Sequence, residues 1–246
     1  MFAPKNRLRL SRPSPSSRAL LAAALVALTG GVALVAAGSS AAEQARQIPA
    51  PTVDEQPAMG QSETAVFAGG CFWGVQGVFQ HVKGVVSAVS GYAGGDAATA
   101  QYETVSTGET GHAESVRVTF DPHKVSYGKL LQIYFSVIHD PTELNRQGPD
   151  EGTQYRSEVF AETPEQARVA KAYIAELDKA RSFGAPIVTK VEPFKGFYPA
   201  ETYHQDYLTL HPNQPYIAIN DLPKVAALKR LFPEQFRPDP VLVGAR

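Results

Sequence analysis

The sequence predicts an α+β domain with a mixed central sheet and helices packed mainly on one face, and three observations carry that prediction. From residue 63 onward, short β-branched and aromatic runs alternate with runs of helical period, and no internal repeat is present. Ala113-Glu-Ser-Val-Arg-Val-Thr-Phe120 alternates polar and apolar residues, as a half-buried strand does. Thr163-Pro164-Glu165 opens a helix with a hydroxyl cap and a proline at the first helical position. With 26.4 kDa and 43% hydrophobic residues, the chain suffices for one domain of ordinary size plus ends.

Taken in order, residues 63–68 form a strand that stops at Gly69-Gly70. Val75, Val78, Phe79 and Val82 then recur at three- and four-residue spacings and predict a helix. A second strand covers 84–90 and ends at Gly91-Tyr-Ala-Gly-Gly95, after which 96–111 is a polar loop. The strand over 113–120 ends at Asp121-Pro122, and Ser126 caps a helix over 127–138 whose Leu130, Leu131, Tyr134 and Val137 form a core stripe. Residues 142–153 are irregular, 156–160 a strand, 164–179 a helix and 187–191 a strand. The remainder predicts a helix over 200–210, an extended segment over 216–220 and a last helix over 222–231.

The two ends differ in composition from this body. Five basic residues and no acid precede Ala19, an apolar run reaches Gly38, and Ser39-Ser-Ala-Ala42 suits cleavage, the layout of a secretory signal over residues 1–42. Retention of that segment as a membrane anchor is the alternative its length allows. An exported protein, periplasmic or secreted, is expected. Residues 43–62, rich in Pro, Ala and Gln, read as a linker, 63–233 as the folded domain and 234–246 as a tail. Beyond residue 42 the chain holds 18 basic against 24 acidic residues, which gives no basic footprint for nucleic acid.

Cys71, the only cysteine, lies between the first strand and the first helix, in Gly69-Gly-Cys-Phe-Trp-Gly74. At a helix N-terminus, unpaired N–H groups and the helix dipole favour a thiolate, the reactive form, so a lowered thiol pKa is expected. A single cysteine excludes an intramolecular disulfide. The ionisable groups able to meet it lie at element ends: Tyr92; His112 and Glu114; His139 and Asp140; and Tyr155. Glu114, at a strand start, is placed for desolvation and proton donation. The six histidines show no metal-ligand spacing, and no phosphate-binding glycine loop is present. Two rival readings remain open at this level: a cysteine hydrolase with Cys71 activated by His112 or His204, and a binding module without chemistry.

Gly-Cys-Phe-Trp-Gly at 70–74, Gly-Tyr-Ala-Gly-Gly at 91–95, Gly-His-Ala-Glu at 111–114, His-Asp-Pro at 139–141 and Gly-Thr-Gln-Tyr-Arg-Ser at 152–157 occur in register. Together they closely resemble the class A peptide-methionine sulfoxide reductases. That resemblance implies a two-layer sandwich with a ferredoxin-like core, extra helices and long loops, and reduction of the S epimer of methionine sulfoxide, free or in proteins. It implies Cys71 as nucleophile, Glu114 as acid, Tyr92 and Tyr155 as hydrogen-bond donors to the sulfoxide oxygen, and Asp140 as organiser of the polar side. Phe72 and Trp73 resemble the aromatic wall that receives the substrate methyl group. A monomer without bound cofactor is expected, and with one cysteine in the sequence an external thiol must recycle Cys71: a small thiol or a thioredoxin- or glutaredoxin-like protein. Many relatives carry resolving cysteines near the C-terminus, whereas this chain reads Pro215-Tyr-Ile-Ala-Ile-Asn-Asp221 there.

Overall fold

A computed structural model describes residues 45–57, 60 and 62–244. The export signal expected over 1–42 lies outside the described residues. Among the described residues, no helix is long and apolar enough to cross a membrane.

Strand β1 (Glu63–Gly69) leads through Gly70-Cys71 into helix α1 (Phe72–Gln80). Strand β2 (Val85–Ala93), a short helix α2 (Tyr102–Val105) and strand β3 (Ala113–Phe120) follow. Helix α3 (Tyr127–Ile133) begins at Ser126, whose Oγ accepts the Lys129 N–H at 3.1 Å, the expected cap. It continues into a π-helical turn over Tyr134–Ile138, so the helix changes pitch where the sequence predicts it to run on evenly. A small hairpin, β4 (Arg146–Gln147) with β5 (Asp150–Glu151), orders the segment read as irregular. Strand β6 (Ser157–Ala161) and helix α4 (Pro164–Lys179) follow, the latter capped by Thr163 Oγ1 accepting the Gln166 N–H at 3.0 Å. Strands β7 (Lys190–Pro193) and β8 (Phe197–Pro199), then helices α5 (Tyr207–Leu210) and α6 (Leu222–Leu231), complete the chain.

The main sheet has six strands in the order β7-β6-β1-β3-β2-β8, with β6 and β7 parallel and every other pair antiparallel. Its inner part, β6-β1-β3-β2, with α1 joining β1 to β2 and α3 lying between β3 and β6 in the chain, is the ferredoxin-like arrangement the resemblance implies. On β3, Val116, Val118 and Phe120 enter the main core with Val75, Val78 and Phe79 of α1 and Leu130 and Leu131 of α3. Side chains alternate along a strand, so Glu114 shares the face of those three residues and is carried beneath α1. β1 is buried on both faces: Ala65 and Phe67 join the main core, while Val66 and Ala68 pack with Ala93, Ala113, Phe160 and Phe197.

Three segments depart from the sequence expectation. The part of the linker at 45–57 lies on the domain as a strap: Ile48 is buried, the Ile48 carbonyl accepts from Gln132 Nε2 at 2.6 Å, and the Gly128 N–H donates to Asp54 Oδ1 at 2.7 Å. The helix expected over 200–210 is broken at Asp206, whose φ is +59°. The Asp206 carboxylate explains the break, because it accepts from Gln80 Nε2 at 2.6 Å and from the Val243 and Gly244 N–H groups at 3.0 Å. The segment expected to be extended, 216–220, is helical: Ile217–Asp221 is a π-helical turn running into α6. Ile217 and Asp221, one turn apart, are both fully buried, and burial overrides the strand preference of the isoleucines.

Candidate active site

Gly70 has φ +87°, and a Cβ there would stand 2.7 Å from the Gln147 Cβ, so only glycine lets the chain turn from β1 into α1 beside this loop. Cys71 is thereby set at the N-cap of α1. The helix start presents its orphan donors as anticipated, and the Trp73 N–H reaches the sulfur and favours its thiolate. The expected lowering of the thiol pKa is nevertheless reversed. Cys71 is only 8% exposed, and burial first, then the carboxyls of Glu114, Asp221 and Asp150, push its thiol well above the usual range.

Glu114 is buried, and its Oε2 accepts the Phe72 N–H at 2.9 Å, which fixes the carboxyl next to the cysteine. Desolvation outweighs that hydrogen bond and pushes the Glu114 pKa up from 4.5 to about 8. Cys71 and Glu114 are therefore a thiol and a carboxylic acid at neutral pH. Between them the site holds two protons in buried, nearly dry surroundings, and can place one on a ligand oxygen while negative charge develops on sulfur.

The remaining predicted residues divide. Phe72 is fully buried and tilted against Tyr92 and His204, with ring centroids 5.8 and 5.1 Å away. Trp73 stacks on Tyr207 at 4.0 Å and donates from Nε1 to His204 Nδ1 at 3.2 Å, which leaves the indole half-buried as an apolar wall. Tyr155 is half-buried, and burial together with the charges of Glu114 and Cys71 holds its phenol neutral and able to donate. Tyr92 stands directly opposite Glu114 in the β2–β3 register, but its hydroxyl donates to Glu201 Oε2 at 2.8 Å and is committed there. Asp140 turns its carboxylate to Thr142, accepting from the N–H at 2.9 Å and the hydroxyl at 2.6 Å. Its backbone is clamped by Gln147, which accepts from the Asp140 N–H at 2.9 Å and donates to the carbonyl at 2.8 Å. Asp140 thus acts on the loop that abuts Gly70.

Sequence reasoning missed five residues. Tyr102, on α2, has its pKa raised by burial and then by Glu114, with Cys71 contributing, so its phenol belongs to the same cluster as Tyr155. Asp150 lies where Cys71, Glu114 and Tyr216 all feel its charge, and it accepts a hydrogen bond from the Tyr216 hydroxyl. Asp221, fully buried, completes the acidic surroundings of Cys71, and Lys224 pairs with it at 3.3 Å. Tyr102 and Asp150 lay in segments read as loop and Tyr216 in one read as extended chain, where periodicity says nothing about direction.

The hydrolase reading fails on its histidines. His112 Nδ1 accepts the Gly95 N–H at 3.2 Å, which leaves Nε2–H to donate to the Asp96 carbonyl at 3.0 Å, so both nitrogens hold the β2–β3 loop. His204 spends the lone pair of Nδ1 on Trp73, and its Nε2 is the protonated nitrogen. Neither imidazole has a basic nitrogen to offer Cys71. Among the described residues, no group of three or more His, Cys, Asp or Glu could hold a metal ion.

A family model described as peptide methionine sulfoxide reductase matches residues 63–236. The chain is 66% identical over 191 residues, 78% of its length and 97% of the relative's, to "Peptide methionine sulfoxide reductase MsrA 2" of Mesorhizobium japonicum. It is 50% identical over 193 residues, 77% of its length and 90% of the relative's, to the protein of the same name from a Synechocystis species. Among solved structures it is similar to reduced Mxr1 from Saccharomyces cerevisiae, with TM-score 0.57, 34% identity, and coverage of 65% of this chain and 91% of that one. Methionine sulfoxide reductase A of Corynebacterium diphtheriae gives TM-score 0.55 and 32% identity over 70% of this chain and 90% of that one. With Cys71 and a protonated Glu114 meeting at the start of α1, and with these relatives over most of its length, the chain belongs to the class A peptide methionine sulfoxide reductase family and is a peptide-methionine (S)-S-oxide reductase.

Proposed function

We propose that Cys71 attacks the sulfoxide sulfur while Glu114 gives its proton to the sulfoxide oxygen. The observation that carries this reading is that burial keeps Glu114 protonated to about pH 8 while the Phe72 N–H holds it beside Cys71. A sulfoxide sulfur is a weak electrophile until its oxygen is protonated or hydrogen-bonded. As the oxygen takes the Glu114 proton, the Cys71 thiol yields its own to the carboxylate, and no net charge is buried at any stage. The oxygen passes to Cys71, so one thiol and one sulfoxide become one sulfenic acid and one methionine. Tyr155, joined by Tyr102, donates to the oxygen in the reading the geometry favours, whereas Tyr92 supports Glu201. Phe72 and Trp73 wall the methyl group, and Asp140 holds the loop under Gly70.

The sulfenic acid has no second cysteine in the chain to meet. An outside thiol attacks it, forming a mixed disulfide and releasing water, and a second thiol frees Cys71. A small thiol or a thioredoxin- or glutaredoxin-like protein serves, and free or protein-bound methionine sulfoxide is the substrate. The basic and then apolar N-terminal segment supports work outside the cytoplasm, on exported proteins.

Single turnover tests the cycle. Without reductant, the protein given separated epimers of a methionine sulfoxide peptide should convert about one equivalent of the S epimer per Cys71, leaving a sulfenic acid that dimedone labels. Cys71→Ser should lose activity on the order of 10³-fold or more with its fold intact. Several equivalents of product without added thiol, or turnover by the serine variant above a few per cent of wild type, overturns the reading.

A further inference from the structure

The surroundings of Cys71 are acidic beyond what the chemistry of the first step needs. Glu114 reaches it from β3, Asp150 from β5 and Asp221 from the π-helical turn before α6, and each pushes the thiol toward its protonated form. The phenols of Tyr102, Tyr155 and Tyr216 face the same cluster. One cation is built into this group. The Lys224 side chain is 6% exposed and that of Asp221 0%, and Nζ stands 3.3 Å from Asp221 Oδ1. Both press on the first turn of α1: a Cβ added at Gly74 would lie 2.2 Å from Asp221 Oδ1 and 3.0 Å from Lys224 Nζ. The second carboxylate oxygen, Asp221 Oδ2, is buried without a hydrogen-bond partner. The ammonium also acts on Asp150, which it helps to keep ionised, and on His139 behind the loop.

A buried carboxylate with one oxygen orphaned is costly, and replacing such a pair by apolar residues is often neutral or stabilising, so the pair is poorly explained by stability. Its place against the turn that bears the nucleophile suggests another task. We propose that Lys224 and Asp221 are positioning residues of the reduction, a buried ion pair whose ammonium offsets the carboxyls crowded around Cys71 so that negative charge can develop on its sulfur. Neither touches the reacting atoms. Asp221 sets how much opposing charge faces the helix start, and Lys224 sets how much of it is cancelled.

The proposal rests on Cys71 being the nucleophile, and its test does not depend on turnover. The rate of Cys71 alkylation by iodoacetamide, followed from pH 6 to pH 11, reads the thiolate directly in the full chain. Lys224→Met leaves Asp221 uncancelled at the pH where the thiol titrates. Its alkylation midpoint should move up and its rate at a fixed pH below the midpoint should fall about tenfold, the equivalent of one pKa unit. Lys224→Arg keeps the charge and should stay within about threefold of wild type. Asp221→Asn removes opposing charge in the same shape, and its midpoint should move down with a rate gain of several-fold. Opposite signs for Lys224→Met and Asp221→Asn, with thermal melts confirming folded protein, support the pair as a charge device. Shifts of the same sign, or no shift in either, overturn it. Should Lys224→Met fail to fold, Asp221→Asn decides alone: faster alkylation supports the proposal, and unchanged or slower alkylation overturns it. Loss of turnover in Cys71→Ser tests the nucleophile separately.

Discussion

Two regions of the active site are built in different ways. One runs from β1 through the bend at Gly70 and Cys71 into α1, with Glu114 delivered by β3, and apart from Gly70 every residue in it sits on a regular element or at its cap. The other, from Glu201 to Lys224, is a chain of short turns, a left-handed residue at Asp206 and a π-helical turn, held by side-chain clasps. Its clasps are Trp73 to His204, Gln80 to Asp206, Tyr216 to Asp150 and Lys224 to Asp221. In the proposed reaction the first region places the groups that exchange protons and oxygen, where small displacements are costly. The second packs around them, backs Trp73 through Tyr207 and His204, and under the ion-pair proposal adjusts charge. Reaction rate should therefore be most sensitive in the first region and substrate preference and thiol reactivity in the second.

The sharpest way to break that division is Glu114→Gln, which keeps the shape and the hydrogen bond from the Phe72 N–H while removing the proton. Loss of single-turnover rate on the order of 10²–10⁴-fold is expected, the worth of a positioned acid. The sign of its pH dependence is set by the raised pKa. The acid is present below about pH 8 and lost as pH rises through that value, so the wild-type rate should fall above pH 8. The glutamine variant should lack that limb. A variant within about threefold of wild type, or one that keeps the limb, would move the acid elsewhere.

Next comes Trp73→Ala, at the seam of the two regions. The indole is backed by Tyr207 at 4.0 Å and tethered by His204 at 3.2 Å, both from the second region. Its loss should raise KM and reduce the preference for methyl over ethyl sulfoxides by about 1–3 kcal/mol, as expected for one methylene in an apolar pocket. Competition between the two sulfoxides measures it directly. An unchanged ratio would place Trp73 in the core rather than against substrate.

The contrast between the regions also explains how much could be read from the amino acids alone. β3 announces itself by alternation, and the same alternation that buries Val116 and Val118 carries Glu114 to the face beneath α1. Gly70, Cys71 and the helix after them form one contiguous signal. What sequence could not supply was dielectric: Cys71 at a helix cap suggested an easily ionised thiol, yet burial and three carboxyls from distant segments reverse it. Nor could it supply direction in irregular chain. Ile217 sits on a segment read as extended, and the burial that makes it helical comes from α1 and α6. Tyr92 and Tyr102 illustrate the same limit, since a tyrosine in a glycine-rich strand end and one in a polar loop look equally able to reach the pocket, and only packing separates them.

The smallest expected effect separates those tyrosines and is the finest test of the division. The Tyr92 hydroxyl donates to Glu201 Oε2 at 2.8 Å, and Glu201 Oε1 accepts the Tyr102 N–H at 2.9 Å, so one carboxylate of the second region ties β2 to the start of α2. Tyr92→Phe removes one arm of that tie but leaves the ring that packs on Phe72 at 5.8 Å. A hydrogen bond to a charged group is worth about 1.5–3 kcal/mol, and Glu201 is partly solvated, so the loss of stability should sit near the low end of that range. The single-turnover rate should change by no more than about threefold, because in the proposed reading Tyr92 supports α2 and the donors to the sulfoxide oxygen are Tyr155 and Tyr102. Tyr155→Phe should behave in the reverse manner. Its phenol is held neutral beside Glu114 and Cys71, so removing it should slow single turnover about tenfold, the worth of about 1.4 kcal/mol, with little change in melting temperature. Measuring both variants for melting temperature and single-turnover rate gives a crossed pattern if the hydroxyls have these separate duties. A large rate loss in Tyr92→Phe with unchanged stability would show instead that its bond to Glu201 opens when substrate binds and that Tyr92 donates to the oxygen after all.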